Sequence, residues 1–229
     1  MKCLVFDTGP IITLTLNNLL WILKELKNKF KGNFYISETV KYELVYKPLK
    51  TKKFKFEALQ VLENIETKVL EPIKNKEIDK LTTKLLYLAN NSFIVNGNFL
   101  RIVHPAEMSG LAVTIYLNAK AFVVDERTTR LLIENPKQLT NTLQNKFHTK
   151  VNVTNNLNKF REITKGIRLL RSVELVTIAY ELGLLDNYLV PIHNNKKILL
   201  EALLWGVKLH GCAVSTKEIK QIIKIETKK

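Results

Sequence analysis

A layered α/β fold around a central, mostly parallel sheet is what this sequence predicts, and three observations predict it. Short runs of wholly apolar residues alternate with stretches of helical periodicity. Several runs stop at a residue suited to open a helix, as at Asp7-Thr8 and Ser37. Runs such as Ala121-Phe122-Val123-Val124 lack the apolar–polar alternation of a sheet with one wet face, so the sheet should be covered on both sides.

Taken in order, Cys3-Leu4-Val5-Phe6 reads as the first strand and halts at Asp7-Thr8-Gly9-Pro10, where Thr8 caps and Pro10 opens a helix. Residues 11–30 carry Leu19, Leu20, Ile22, Leu23 and Leu26 at helical spacing and predict one helix closed by Gly32 and Asn33. Phe34-Tyr35-Ile36 is a second strand, and Ser37 caps a helix carrying Val40, Glu43 and Leu44, which Pro48 should end. A basic loop, 50–55, leads into a helix through Phe56, Leu59, Val61 and Leu62; residues 68–70 read as a third strand and 77–90 as an amphipathic helix. Phe93-Ile94-Val95 and residues 99–103, joined at Asn96-Gly97-Asn98, predict an inserted β-hairpin. His104-Pro105 opens a helix reaching Leu117, with Glu107 in its first turn, and the apolar strand after it ends at Asp125.

Beyond Pro136 the chain turns polar and Asn-rich, with a short strand at 150–153. Two long helices are expected over 157–185 and 196–209, closed by Gly211, and Ser215-Thr216-Lys217-Glu218 is a capping box for a last helix. The boundary therefore falls in the Asn-rich stretch: a main domain over residues 1–150, and a C-terminal helical extension over 151–229 that packs on the domain or continues it.

Among 229 residues, 36 Lys and Arg stand against 21 Asp and Glu, for a formal net charge of +15. That excess attracts polyanions and makes nucleic acid a natural partner, although a Lys-rich surface also suits heat adaptation. Cys3 and Cys212 lack CxxC spacing, which excludes a zinc ribbon and fits two buried thiols in a reducing compartment. No run approaches the roughly 18 apolar residues of a membrane span, and no signal-peptide pattern opens the sequence, so a soluble, cytoplasmic protein is expected.

Asp7 and Asp125 each follow an apolar strand, and in a parallel sheet the strand carboxyl ends face one crevice. Glu43 and Glu107 stand near the same edge. Taken singly, each has an ordinary explanation: helix caps for the aspartates, a dipole partner for Glu107, a solvated acid for Glu43. Glu43, between Tyr42 and Leu44, is the least at home as a lone surface charge. Together the four carboxylates would repel one another unless a hard divalent cation, Mg²⁺ or Mn²⁺, sat among them.

The motifs Leu4-Val5-Phe6-Asp7-Thr8-Gly9-Pro10, Ile36-Ser37-Glu38-Thr39-Val40 with Glu43, His104-Pro105-Ala106-Glu107-Met108-Ser109-Gly110 and Val123-Val124-Asp125-Glu126-Arg127 come in an order that resembles the PIN-domain nucleases. The likeness is to the prokaryotic branch whose last motif reads Asp-Glu-Arg, and it spans residues 1–135, with the C-terminal helices matching more loosely. It implies a Rossmann-like three-layer sandwich, Mg²⁺ or Mn²⁺ dependence and cleavage of single-stranded RNA to products with a 5′ phosphate. It carries metal-binding and catalytic roles to Asp7, Glu43, Glu107 and Asp125, and supporting roles to Thr8 and Glu126. Where the family commonly has a glycine and a second acid in the third motif, this chain has Ala106 and Ser109.

Arg127 and Arg130 are candidate phosphate contacts, with solvated helix charges as the alternative. Lys50, Lys52 and Lys53, beside Phe54 and Phe56, could grip a single strand, although the two rings read more simply as core residues at a helix start. A toxin-like nuclease would have an antitoxin protein as partner. The competing class is a non-catalytic PIN-like module that binds RNA or protein. A strand-then-aspartate phosphatase needs a second aspartate two positions on, and Gly9 stands there instead. The apolar run Ile198-Leu199-Leu200 with Leu203, Leu204 and Trp205 exceeds one helix face and suggests a homodimer.

Overall fold

The structure is a computed structural model in which residues 2–227 are described. Strand β1 (Cys3–Phe6) leads through an extended Asp7 into α1 (Thr8–Leu16), and the Asp7 carboxylate caps that helix by accepting the Gly9 N–H at 3.4 Å. The single helix expected over 11–30 is broken. Asn17 donates its side-chain amide back to the Thr13 carbonyl at 2.7 Å and Asn18 turns left-handed, ending α1 and letting Leu19 and Leu20 fold inward before α2 (Ile22–Phe30).

After β2 (Asn33–Ser37), the Ser37 hydroxyl accepts the Val40 N–H and caps α3 (Glu38–Lys41). Pro48 does not end this helix as expected. It lacks the N–H that would bond the Leu44 carbonyl, so the helix widens: residues Tyr42–Tyr46 adopt π-helical geometry, the Lys47 N–H reaches back to Tyr42 O, and the chain continues into α4 (Lys47–Leu49). Phe54 and Phe56, at the start of α5 (Lys55–Glu66), are not core residues; 43% and 69% of their surface stays exposed. The third strand, β3 (Glu71–Ile73), lies beyond the expected 68–70, because the N–H groups of Val69 and Leu70 both bond Asn64 O in closing α5.

Helix α6 (Lys76–Asn90) leads to β4 (Phe93–Val95) and β5 (Asn98–Phe99), which pair antiparallel around Asn96 and Gly97, both at positive φ. The strand expected to continue to residue 103 stops at Phe99, since the Asn90 side chain takes the N–H groups of Ile102 and Val103. Then follow α7 (Pro105–Tyr116), β6 (Ala121–Val123), α8 (Arg127–Glu134), α9 (Pro136–Phe147), β7 (Asn152–Val153), which pairs with β4, and α10 (Asn155–Thr164). The long helix expected over 157–185 is two helices: Gly166, at φ 82°, turns the chain into β8 (Leu169–Leu170), and α11 (Ser172–Glu181) starts directly after it. Helices α12 (Asn195–Leu209) and α13 (Thr216–Glu226) complete the described chain, and Ser215 and Glu218 form the reciprocal cap of α13.

The main sheet is all parallel in the order β3-β2-β1-β6-β8. Its central strands β1 and β6 bury both faces, which is why they read as unbroken apolar runs, whereas the edge strands β3 and β8 are only partly buried. Leu4, Phe6, Ala121 and Val123 face a core closed by α1, α2, α5 and α11–α13; Val5, Phe122 and Val124 face a second core closed by α6–α10. The last third of the chain thus supplies the sheet's fifth strand as well as helices. Leu200 and Leu204 are fully buried in the first core, with Leu199, Leu203 and Trp205 packed against it. No helix among the described residues is long and apolar enough to cross a membrane.

Two tight points invite tests. A Cβ on Gly110 would fall 2.7 Å from Cε2 of the wholly buried Phe122 ring. Gly110→Ala is therefore expected to cost about 1–3 kcal/mol by overpacking, measured by denaturant unfolding; an unchanged midpoint would show that the ring moves aside freely. At the C-terminal edge, Arg171 donates to Glu174, to Glu218 at 2.9 Å and to the Ala213 carbonyl at 3.0 Å, joining α11 to α13. Partial burial works against the Glu218 charge, but the bonds from Ser215 and Arg171 outweigh it and hold its pKa at about 2 against an ordinary 4.5. A lowered folded-state pKa stabilises above about 4.5, and the contribution is lost as pH falls through about 2. Because the pair is partly solvated, Glu218→Gln should cost at most about 1 kcal/mol near neutrality, and its melting curve should converge on that of the parent chain on acidification.

Candidate active site

Strands β1 and β6 are neighbours, yet the chain leaves β1 for β2 on the opposite side, so the crevice at their carboxyl ends is the switch point of the sheet. Asp7 lies one residue past β1 and donates its N–H to Val123 O at 2.9 Å; Asp125 lies just past β6. A methyl group on Gly9 would sit 3.5 Å from Asp125 Cβ and 3.7 Å from Asp7 Oδ2, so the two aspartates flank one glycine. Both are almost fully buried.

Their partners differ sharply. Asp125 Oδ1 accepts the Ser172 N–H at 2.8 Å, and Oδ2 accepts the hydroxyls of Ser172 at 2.8 Å and Thr13 at 2.9 Å. Its carboxylate is spent on α1 and on the N-terminus of α11, where the helix dipole also favours it. Asp7 Oδ1, in contrast, is the one buried side-chain nitrogen or oxygen without a hydrogen-bond partner among the described residues. Burial, then the charge of Glu107, and less strongly that of Glu43, push the Asp7 pKa up to about 7 against the pull of the Thr8 and Gly9 N–H groups.

Glu107 caps its own helix, its Oε2 accepting the His104 N–H and the Thr129 hydroxyl, both at 3.0 Å. Burial raises its pKa, those two bonds oppose the rise, and the charge of Glu126 adds to it. Glu43 stands in the π-helical turn, half-buried, and its Oε2 accepts the Thr8 hydroxyl at 2.8 Å. Thr8 thereby ties Glu43 to the residue next to Asp7. Asp7, Glu43 and Glu107 thus share one electrostatic neighbourhood, while the carboxylate oxygens of Asp125 are directed to Thr13 and Ser172. Among the described residues no three His, Cys, Asp or Glu side chains converge closely enough to form a ready-made metal cage. Of the set named from the sequence, Asp7 alone offers a buried, unpartnered oxygen suited to a hard cation.

The other residues fall out as follows. Glu126 is exposed and caps α8 by accepting the Thr129 N–H at 2.8 Å. Arg130 is spoken for, donating to Ala213 O at 3.2 Å and lying 3.6 Å from Glu134, whereas Arg127 is exposed. Lys50, Lys52 and Lys53 are exposed on the loop before α5. Ser109 is buried and its hydroxyl sits 2.6 Å from that of Ser37, joining α7 to the end of β2. Thr13, Thr129 and Ser172, which position the acids, went unnoticed in the sequence, where each is an ordinary helix residue. Cys212 lies against Asp125 and Ser172, and burial, with the Asp125 charge, pushes its thiol to about 12, which leaves it protonated and unreactive.

Comparison with protein-family models, with curated proteins and with solved structures returned no match.

The unpartnered Asp7 oxygen gives a test that needs no enzyme assay. Asp7 keeps its proton up to about 7 in the folded chain but ionises near 3.8 when unfolded, so stability should fall as pH rises across that window. Above it, in a chelator, Asp7→Asn is expected to melt several degrees higher than the parent chain. Mn²⁺ should raise the parent's melting temperature and leave that of Asp7→Asn unmoved. Equal metal responses would mean that Asp7 holds no cation.

Proposed function

We propose that the chain is a PIN-type, metal-dependent endoribonuclease that cleaves single-stranded RNA. The observation carrying this reading is the buried, unpartnered Asp7 Oδ1 at the switch point of a parallel sheet, with Glu107 and Glu43 raising the negative potential around it. The motif order that resembles PIN nucleases and the formal charge of +15 support it.

In this reading Asp7 would hold a Mg²⁺ or Mn²⁺ ion, Glu107 and Glu43 would add to the negative field that draws it in, and Asp125 would bound the site. The cation would supply charge neutralisation at the phosphodiester and a more acidic water. The chain's own part is positional. Thr8 aims Glu43, Thr129 and the His104 N–H aim Glu107, and Thr13 with Ser172 orient Asp125 at the end of β6. The reaction joins a water oxygen to phosphorus and breaks the bond from phosphorus to O3′. One fragment leaves with a 5′ phosphate and the other with a 3′ hydroxyl.

A second reading, a non-catalytic PIN-like module that binds RNA or protein, is favoured by the filled hydrogen-bond capacity of Asp125. Labelled single-stranded RNA incubated with the full chain separates the two. The nuclease reading expects cleavage with Mn²⁺ or Mg²⁺, none in chelator, and a loss of at least about hundredfold in Asp7→Asn. Cleavage that survives either the chelator or the substitution would sink it.

A further inference from the structure

A cleft of about 540 Å³ opens beside the Thr8–Glu43 pair, within the size range of small-ligand sites. Ile12, Leu16, Leu44 and Val61 give it an apolar lining, and Lys47, Lys53, Phe54 and Glu57 also line it. Phe54 is exposed at its rim, and Tyr42, Tyr46 and Phe56, which do not line the cleft, are exposed as well, with the Tyr42 and Tyr46 rings 6.5 Å apart. Rings usually bury their area, and an exposed set interleaved with charge marks a contact surface. Residues 41–57 hold six lysines against two glutamates. Lys41 lies 5.4 Å from the Tyr46 ring and Lys53 lies 4.7 Å from that of Phe54, so cations and ring faces are already paired as on a stacking platform for a single strand.

The architecture explains how the rings reach this position. The π-helical turn forced by Pro48 presents Tyr42 and Tyr46 outward while Glu43 stays half-buried against Thr8. Phe54 holds φ at 64°, a left-handed conformation rare for a bulky side chain, at the point where the lysine loop meets the cleft.

We propose that this face is a single-stranded RNA track: phosphates run along Lys47, Lys50, Lys52 and Lys53, and one base enters the cleft against Phe54, beside the Thr8–Glu43 pair. The half-buried Glu57 is there to accept an exocyclic amine from that base. An apolar peptide would suit the lining but not the lysines around it. The choice of RNA rests on the nuclease reading; the track itself is an independent claim about binding.

The test is fluorescence anisotropy of the full chain with a labelled single strand of about 12 nucleotides, in chelator so that nothing is cut. Phe54→Ala should weaken binding about tenfold and leave binding of an abasic strand of equal length unchanged. Replacing Lys47, Lys50, Lys52 and Lys53 together by Gln should reduce the slope of log affinity against log salt by about 3. Should Phe54→Ala fail to fold, Phe54→Gly suits the left-handed backbone and serves in its place. Crosslinks from 4-thiouridine RNA to the parent chain should map to residues 41–59. The track is overturned if the parent binds no single strand, if the variants bind as the parent does, or if crosslinks fall elsewhere. A parent that binds through these residues but never cleaves keeps the track and loses the nuclease. Cleavage that Asp7→Asn abolishes and the track variants leave untouched does the reverse.

Discussion

A single buried carboxylate, that of Asp125, fastens the first helix and the second half of the chain to the sheet. It takes the Thr13 hydroxyl from α1 and both the N–H and hydroxyl of Ser172 from α11, while its backbone carbonyl accepts the Ala213 N–H from the loop after α12. Burying a charge is costly unless hydrogen bonds replace water, and here three donors and a helix N-terminus do so. Only Arg171 separates the fifth strand, β8, from that helix, so the same anchor sets where the late segment joins the sheet.

Asp7 shows the opposite condition a few ångströms away. It is equally buried, but one oxygen has no donor and two glutamates add to the negative field. A carboxylate so placed must keep a proton or meet a cation, and that unresolved charge is the chemical asymmetry of the crevice. The lysines do not resolve it. They lie outside, on the loop before α5 and around the aromatic face, where they meet polyanions without neutralising the acids within.

Strands β1 and β6 and their aspartates were legible because burial on both faces leaves unbroken apolar runs, and because residues that open helices stand shortly after them. Helix interruptions were less so. Asn17 and Asn18 break a periodic apolar pattern by hydrogen bonding and left-handed geometry, neither of which periodicity records. Pro48 signals a stop by residue type, yet the helix absorbs it by widening, since the Lys47 N–H reaches one residue further back, to Tyr42 O. Leu169–Leu170 is too short to announce itself as a strand and acquires that identity from pairing with β6. Phe54 and Phe56 read as core by residue type, but α5 turns Ala58 and Val61 inward and leaves both rings largely outside.

By itself the sequence determined the alternation of strand and helix, the placing of two aspartates at strand ends, and the excess of positive charge. These depend on local spacing and composition, which a linear reading contains. Only the tertiary structure decided which carboxylate oxygens are satisfied and which is left open. The donors that settle it lie 112, 47 and 22 residues from their acceptors for Thr13, Ser172 and Thr129, and partners so distant leave no local pattern in the chain.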